Sequence, residues 1–172
     1  CPHCTFLWLG CQVLCIRIEG NKVQVQCRQG YTLEGTDFSM CKRDGSWTNT
    51  TQCKAVDCGQ PTTPPLTQLV LVSSTLYGSM VKLRCEEGYQ AYGEMSLRCQ
   101  ANKQWSRFRG RCVRISCGKP ALDKGVSIAG NAYLYQAQLK VICPVGFEVD
   151  GEEIITCKKD GQWSSTPKCS KM

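Results

Sequence analysis

Short runs in which apolar and polar residues alternate recur along the chain, at positions 23–27 (Val-Gln-Val-Gln-Cys), 81–85 (Val-Lys-Leu-Arg-Cys) and 139–143 (Leu-Lys-Val-Ile-Cys). Alternation at period two places one side of a strand against a core and the other in water, so each run predicts a half-buried β-strand. No stretch shows helical periodicity, and the expected fold class is all-β with short strands and many turns. Asp44-Gly45 and Asp160-Gly161 are tight-turn dipeptides between short strands, and Asn102-Lys103 takes the same place in the middle of the chain. Trp47, Trp105 and Trp163 follow these turns as the only large apolar residues nearby, which predicts a Trp core for each unit. One run does not alternate. Leu69, Val70, Leu71 and Val72 are continuously apolar, which predicts a strand buried on both sides, with a partner-contact strand as the alternative.

The alternating runs are part of a longer repetition. Cys27, Cys85 and Cys143 stand 58 residues apart, and Cys41, Cys99 and Cys157 and the three tryptophans keep the same period. Each second cysteine is followed at +3 by Gly30, Gly88 or Gly146, at +4 by Tyr31, Tyr89 or Phe147, and at +8 by Gly35, Gly93 or Gly151. The +4 aromatic is expected to pack near the Trp.

The segments CRQGYTLEGTDFSMCKRDGSWTNTTQC, CEEGYQAYGEMSLRCQANKQWSRFRGRC and CPVGFEVDGEEIITCKKDGQWSSTPKC carry this pattern. It resembles the complement control protein module, also called the sushi domain or short consensus repeat. The resemblance implies three disulfide-stapled modules, at 1–53, 58–112 and 117–169. The linkers between them, Lys54 to Asp57 and Val113 to Ser116, are only four residues long, and so short a linker is expected to keep neighbours end to end as an elongated rod. Four cysteines allow three pairings, among which sequence alone does not choose. The family implies first-to-third and second-to-fourth: Cys58–Cys99 with Cys85–Cys112, and Cys117–Cys157 with Cys143–Cys169. In the first module it implies Cys27–Cys53, with Cys41 bonded to a cysteine near the N-terminus, for which Cys1 has the right spacing. A loop of the Cys58–Cys99 size contributes about 4 kcal/mol in the chain-entropy model. Two such bridges are comparable with the whole stability of a small domain, about 5 to 15 kcal/mol.

Cysteine content fixes the compartment. Fifteen of 172 residues are Cys, the density of a disulfide scaffold, and such small units would lack a sufficient core without their staples. The chain is therefore expected to be secreted or displayed on the extracellular face of the plasma membrane. The apolar run 5–16 is too short to span a bilayer. It resembles the apolar region of a signal peptide but lacks an initiating Met and a basic flank. Both ends of the chain look cut from something longer. The first 17 residues depart from the pattern, opening with Cys1-Pro2-His3-Cys4 and continuing with Cys11 and Cys15. Four thiols at these spacings, with His3, could ligate zinc. An atypical terminus is preferred, because the second pair lacks the small or polar residues of a zinc knuckle, so no cofactor or metal is expected. The odd cysteine count leaves at least one thiol free or bonded to another chain.

The ingredients of catalysis are scarce. His3 is the only histidine, so no Ser-His-Asp or Cys-His arrangement has a credible base. Glu86 and Glu87, like Glu152 and Glu153, are neighbours that a strand would turn to opposite faces, and they read as solvated surface charge. No phosphate loop or dinucleotide fingerprint occurs. The chain is expected not to be an enzyme.

Charge singles out the middle module. The net charge is +7, and residues 58–116 hold eight Lys or Arg against three Glu. Arg107, Arg109 and Arg111 alternate with Phe108 and with Cys112, whose bridge turns it inward, so the three guanidinium groups are expected to face outward together. Lys103, Arg98 and Arg114 are candidates to extend the patch. A sulfated glycosaminoglycan is the expected polyanion outside the cell, since guanidinium pairs well with sulfate-like oxyanions; nucleic acid is not an expected partner. Asn49-Thr50-Thr51 is the only glycosylation sequon. The family resemblance implies a non-catalytic recognition array that binds an extracellular protein, in the manner of complement regulators and receptors. An adhesion or matrix mosaic of the polydom kind, and the non-catalytic arm of a modular serine protease, are the alternatives.

Overall fold

In a computed structural model the described residues are 11–18, for which the backbone alone is described, 22–48 and 52–172. Among them the chain forms fifteen strands and no helix. Each repeat builds one three-stranded and one two-stranded antiparallel sheet. In the first repeat, β1 (Cys11–Ile18), β2 (Lys22–Cys27) and β4 (Phe38–Met40) form the larger sheet, and β3 (Tyr31–Glu34) pairs with β5 (Gln52–Ala55). In the second, β6 (Thr67–Leu71), β7 (Met80–Cys85) and β9 (Ser96–Arg98) form the larger, and β8 (Tyr89–Tyr92) pairs with β10 (Arg111–Arg114). In the third the corresponding sets are β11 (Ser127–Ala129), β12 (Gln138–Ile142) and β14 (Ile154–Thr156), then β13 (Phe147–Val149) with β15 (Cys169–Lys171).

Compactness follows different boundaries from the repeats. One unit comprises 1–63, 69–83 and 96–108, and the other 64–68, 84–95 and 109–172. The second repeat thus contributes residues to each unit.

In the first unit the alternation of β2 buries Val23 and Val25, and that of β7 buries Val81 and Leu83. Val23 is paired with Ser39 across the β2–β4 ladder, as Val81 is with Leu97 across β7–β9. The atypical N-terminal segment is drawn into this architecture. β1 pairs with β2 from Cys11 opposite Cys27 to Ile18 opposite Lys22, with an irregularity between Leu14 and Ile18. A strand beside β2 satisfies backbone groups that an unpaired sheet edge would leave open.

In the second unit, Leu139 and Val141 of β12 pack with Val126 and Ile155, and Leu122, Ile128, Tyr133, Val149 and Trp163 surround them. The core is aliphatic rather than tryptophan-centred, which corrects the sequence expectation. Trp47, Trp105 and Trp163 are half-buried at the rim. The indole N–H of Trp105 donates to the Gly59 carbonyl at 3.0 Å, and that of Trp163 to the Gly118 carbonyl at 3.0 Å. A buried indole needs an acceptor, and the backbone at the start of the repeat supplies one. The ring that meets Trp163 is Tyr133, edge-on at 6.5 Å, while the +4 aromatic Tyr31 meets Tyr77.

Five disulfides staple the described residues: Cys27–Cys53 and Cys58–Cys99 in the first unit, and Cys85–Cys112, Cys117–Cys157 and Cys143–Cys169 in the second. Cys41 is also disulfide-bonded.

Candidate binding surfaces

The transition from one repeat to the next is built the same way twice. In the first unit Gly30 is buried at φ +85°, and a Cβ there would collide with the ring of Tyr77. Glycine is required for both reasons: the left-handed backbone and the ring lying where a side chain would be. The Gly30 carbonyl accepts the N–H of Val56 at 2.8 Å, and the Val56 carbonyl accepts the N–H of Tyr77 at 2.7 Å. Val56, in the linker, is 2% exposed. In the second unit Gly88, also buried at φ +85°, would collide in the same way with Tyr135. Ile115 donates to the Gly88 carbonyl at 2.9 Å and accepts from Tyr135 at 2.8 Å. The Tyr135 hydroxyl then donates to Oε1 of Glu87 at 3.1 Å, giving a partner to a carboxylate read from the sequence as solvated charge.

The residue after each linker aliphatic steadies the start of its repeat. The Asp57 carboxylate is hydrogen-bonded by the Thr75 side chain and by the Gly59 N–H at 2.8 Å, and these bonds hold its pKa below the usual carboxylate range. Ser116 does the same without a charge, its hydroxyl accepting the Gly118 N–H at 3.2 Å. Tyr77, Tyr135, Val56 and Ile115 were not singled out by sequence reasoning. The available signal was an aliphatic residue three positions after the fourth cysteine and a Tyr 19 or 18 positions after the next repeat's first.

The basic residues occupy exposed positions along one stretch of backbone. Arg107, Arg109 and Arg111 are exposed, while Phe108, Gly110 and Cys112 between them are half-buried. Only Arg111 lies on a strand, β10; residues 106–110 run outside any ladder, so the alternation there is that of extended chain. In the second unit Arg111 stands opposite Tyr92, with its guanidinium 5.6 Å from the ring centre, and exposed Arg114 stands opposite Tyr89. In the first unit exposed Arg98 on β9 reaches the Gly78 carbonyl at 3.5 Å, and exposed Lys103 occupies its turn at φ +64°. Among the described residues the ion pair is Lys54 with Glu34 at 2.6 Å, and no carboxylate pairs with Arg107, Arg109 or Arg111.

The run 69–72 departs from its expected burial. Val70 is 56% and Leu71 64% exposed, while Leu69 and Val72 are half-buried. β6 is an edge strand of its sheet, and Val70 and Leu71, adjacent on it and therefore on opposite faces, are both open to solvent.

Two grooves in the second unit offer no paired acid and base. One in the second unit, about 290 Å³, runs beside Trp163 and has Lys119 as its only titratable group. Another in that unit, about 390 Å³, is lined by Gln68, Arg84, Cys85 and Glu87; there Arg84 donates to Gln68 at 3.0 Å. No metal-ligating cluster occurs among the described residues. The sequon residue Asn49, the proposed Cys1 partner of Cys41, and His3 and Cys4 lie outside the described residues, as do the side chains of Cys11 and Cys15.

Comparison with known proteins gives this architecture its family. The model of the sushi repeat (SCR repeat) matches three times, over 19–53, 58–112 and 117–169. The mouse (Mus musculus) sushi, von Willebrand factor type A, EGF and pentraxin domain-containing protein 1 is 33% identical over 86% of the chain, which spans 4% of that protein. Complement factor H of Bos taurus is 32% identical over 88% of the chain, which spans 13% of it. Beta-2-glycoprotein 1 of Canis lupus familiaris is 27% identical over 87% of the chain, which spans 46% of it. The chain covers less than half the length of each of these relatives. Three matches that take in most of the residues, on repeats that each pair a three-stranded with a two-stranded sheet, make this chain a member of the sushi repeat family.

Proposed function

We propose that this chain is a non-catalytic recognition segment of a protein that is secreted or held at the outer face of the plasma membrane. Its repeats bind an extracellular protein ligand of the complement-regulator kind, and its second repeat contacts a sulfated glycosaminoglycan. The exposure of Arg107, Arg109 and Arg111 at alternate positions, with no carboxylate pairing among the described residues, is the observation that carries the polyanion reading. Guanidinium groups that are not neutralised by the protein are free to pair with sulfate oxygens. Arg98, Lys103 and Arg114 add charge from their own exposed positions.

Supporting the protein-recognition reading, the relatives include complement factor H and a C4b-binding protein alpha chain. An adhesion or matrix role is the second reading, favoured by the mosaic relative with von Willebrand, EGF and pentraxin domains. No helix among the described residues is long and apolar enough to cross a membrane. Heparin chromatography of the chain and of an Arg107→Ser, Arg109→Ser, Arg111→Ser variant tests the polyanion contact. Elution of the variant at clearly lower salt is the expected result, and equal elution rejects it. Saturable binding of the chain to immobilised C4b is expected under the complement reading; its absence, with retention by matrix proteins, selects the adhesion reading.

A further inference from the structure

The second repeat carries an extra residue between its tryptophan and its fourth cysteine. Residues 106–111 number six, against five at 48–52 and five at 164–168, and three of the six are arginine. The longer segment is tied down at its two ends. The Ser106 N–H donates to the Arg98 carbonyl at 2.8 Å, and Arg111 is paired with Tyr92 in the β8–β10 ladder. Residues 107–110 between these ties make no main-chain hydrogen bond among the described residues. In the third repeat the Ser164 N–H bonds Thr156 at 2.8 Å and the Lys168 carbonyl bonds Asp150 at 3.0 Å. What lies between them is Ser165, Thr166 and Pro167, with no basic residue. The extra length and the charge therefore fall on the same unpaired stretch of the second repeat. Unpaired, exposed backbone is where proteolytic nicking concentrates.

A trypsin-like serine protease holds its substrate as an extended strand and takes an arginine into an anionic pocket. Its backbone pairs with that of the recognised arginine and of the residue two before it. Of the three outward arginines one meets both needs. Arg109 is exposed and unpaired in its main chain, and so is Arg107, two before it. For Arg107 the residue two before is Trp105, which is bridged to Cys99 and held through its indole by Gly59; Arg111 is already in a ladder. Gly110 follows Arg109 and puts no side chain beside the bond. The Arg109 carbonyl lies against Gly93, where a Cβ would come within 2.8 Å of it. It accepts no hydrogen bond among the described residues, so turning it toward an oxyanion hole breaks none. We propose that the Arg109–Gly110 bond is a processing site for an extracellular trypsin-like serine protease, which converts the chain into a two-chain molecule. The extracellular setting rests on the secreted reading above, whereas the choice of bond does not. The step is a hydrolysis: the amide C–N bond breaks and a water oxygen bonds to the Arg109 carbonyl carbon. Proton transfer to nitrogen leaves a carboxylate on Arg109 and an ammonium group on Gly110. Of the five disulfides Cys85–Cys112 alone spans the cut. The pieces 1–109 and 110–172 therefore stay covalently joined.

The test is limited digestion of the oxidised whole chain with trypsin itself, followed by mass spectrometry and by electrophoresis with and without reductant. Between Cys27 and Cys169 the first product is expected to be heavier than the chain by one water. It should run as one band unreduced and as two after reduction, the smaller piece beginning Gly110-Arg111-Cys112. Arg109→Gln should abolish this product, and Arg109→Lys should restore it, because the pocket reads the cation and not the guanidinium alone. Arg107→Gln should keep it, since the main chain and not the side chain at that position is used. All three changes are at exposed positions outside any strand, so the fold is retained. A first cut at any other Lys or Arg between Cys27 and Cys169 would overturn the proposal. So would survival of the product in Arg109→Gln, its loss in Arg107→Gln, or pieces that separate without reductant.

Discussion

Replacing Ser39 by alanine is expected to stabilise the first repeat. Ser39 lies on β4 opposite Val23 and is 5% exposed. The same register position holds Leu97 opposite Val81 and Ile155 opposite Leu139, 4% and 0% exposed. Two repeats therefore fill this core position with an aliphatic side chain and one fills it with a hydroxyl. The Ser39 oxygen is buried with no hydrogen-bond partner, and an unsatisfied hydroxyl of this kind costs about 1–3 kcal/mol. Alanine keeps the Cβ and removes only the oxygen, so the cost disappears against a loss of a few contacts, each about 0.1–0.2 kcal/mol. The net expectation is a gain of about 1 kcal/mol. Leucine is a less clean probe, because the apolar gain of about 1.5–3 kcal/mol meets an overpacking cost of about 1–3 kcal/mol. In a chain of several repeats a single melting temperature is poorly defined, so native-state hydrogen exchange is the assay. The Val25 amide, bonded to the Asp37 carbonyl at 2.8 Å, reports opening of this sheet and should exchange about fivefold more slowly in Ser39→Ala. Exchange at Val25 that is unchanged or faster would show that the hydroxyl is satisfied and that the reasoning from its burial fails.

Lys103→Gly should stabilise the second repeat's turn by about 1 kcal/mol, since Lys103 sits at φ +64° where Gly45 and Gly161 stand in the other turns; slower exchange of the Ser106 amide checks it. Gly88→Ala should be more destabilising than Gly146→Ala by at least about 1 kcal/mol, because both carry the left-handed strain but only the first also displaces a tyrosine ring; chemical denaturation of the two variants compares them. Asp57 gives the transition from the first repeat to the second a pH dependence that Ser116 does not give the transition from the second to the third. Its folded pKa lies below the ordinary value of 3.8, so its stabilising bonds are fully present above that value and are lost as pH falls through the lowered one. Protection of the Gly59 amide should therefore fall in that acid window in the wild type and show no such step in Asp57→Asn.

The periodic residues were legible because their causes are local. Cysteine and glycine spacing follows from strand and turn lengths within one repeat, and the alternation of Val81 and Leu83 records which face is buried. The contact of Gly30 with Tyr77 was not legible, because the two are far apart in sequence and neither residue type announces the other. The tryptophans misled for a different reason. Size marks them as core, but the indole N–H must reach the Gly59 or Gly118 carbonyl, and that pulls the ring to the rim. The apolar run 69–72 misled in the opposite sense, since continuous hydrophobicity reports composition and not whether the strand lies inside its sheet or at the edge. The arginines between Trp105 and Cys112 were placed by parity, and their alternate exposure holds although most of that segment is outside a ladder.

The crossed disulfides also govern how this chain bears load. Tension entering the second repeat at Cys58 has a covalent shortcut to Cys99, and from there only thirteen residues lead to Cys112 and out. Pulled until every weaker contact has given way, the repeat can pay out only about 45 Å along that path. With the bridges reduced, the 55 residues from Cys58 to Cys112 could reach about 190 Å. The third repeat is limited in the same way by the twelve residues from Cys157 to Cys169. An oxidised array of this kind is a tether of nearly fixed maximum length. Its compliance is set by thiol chemistry and not by the strength of its small cores.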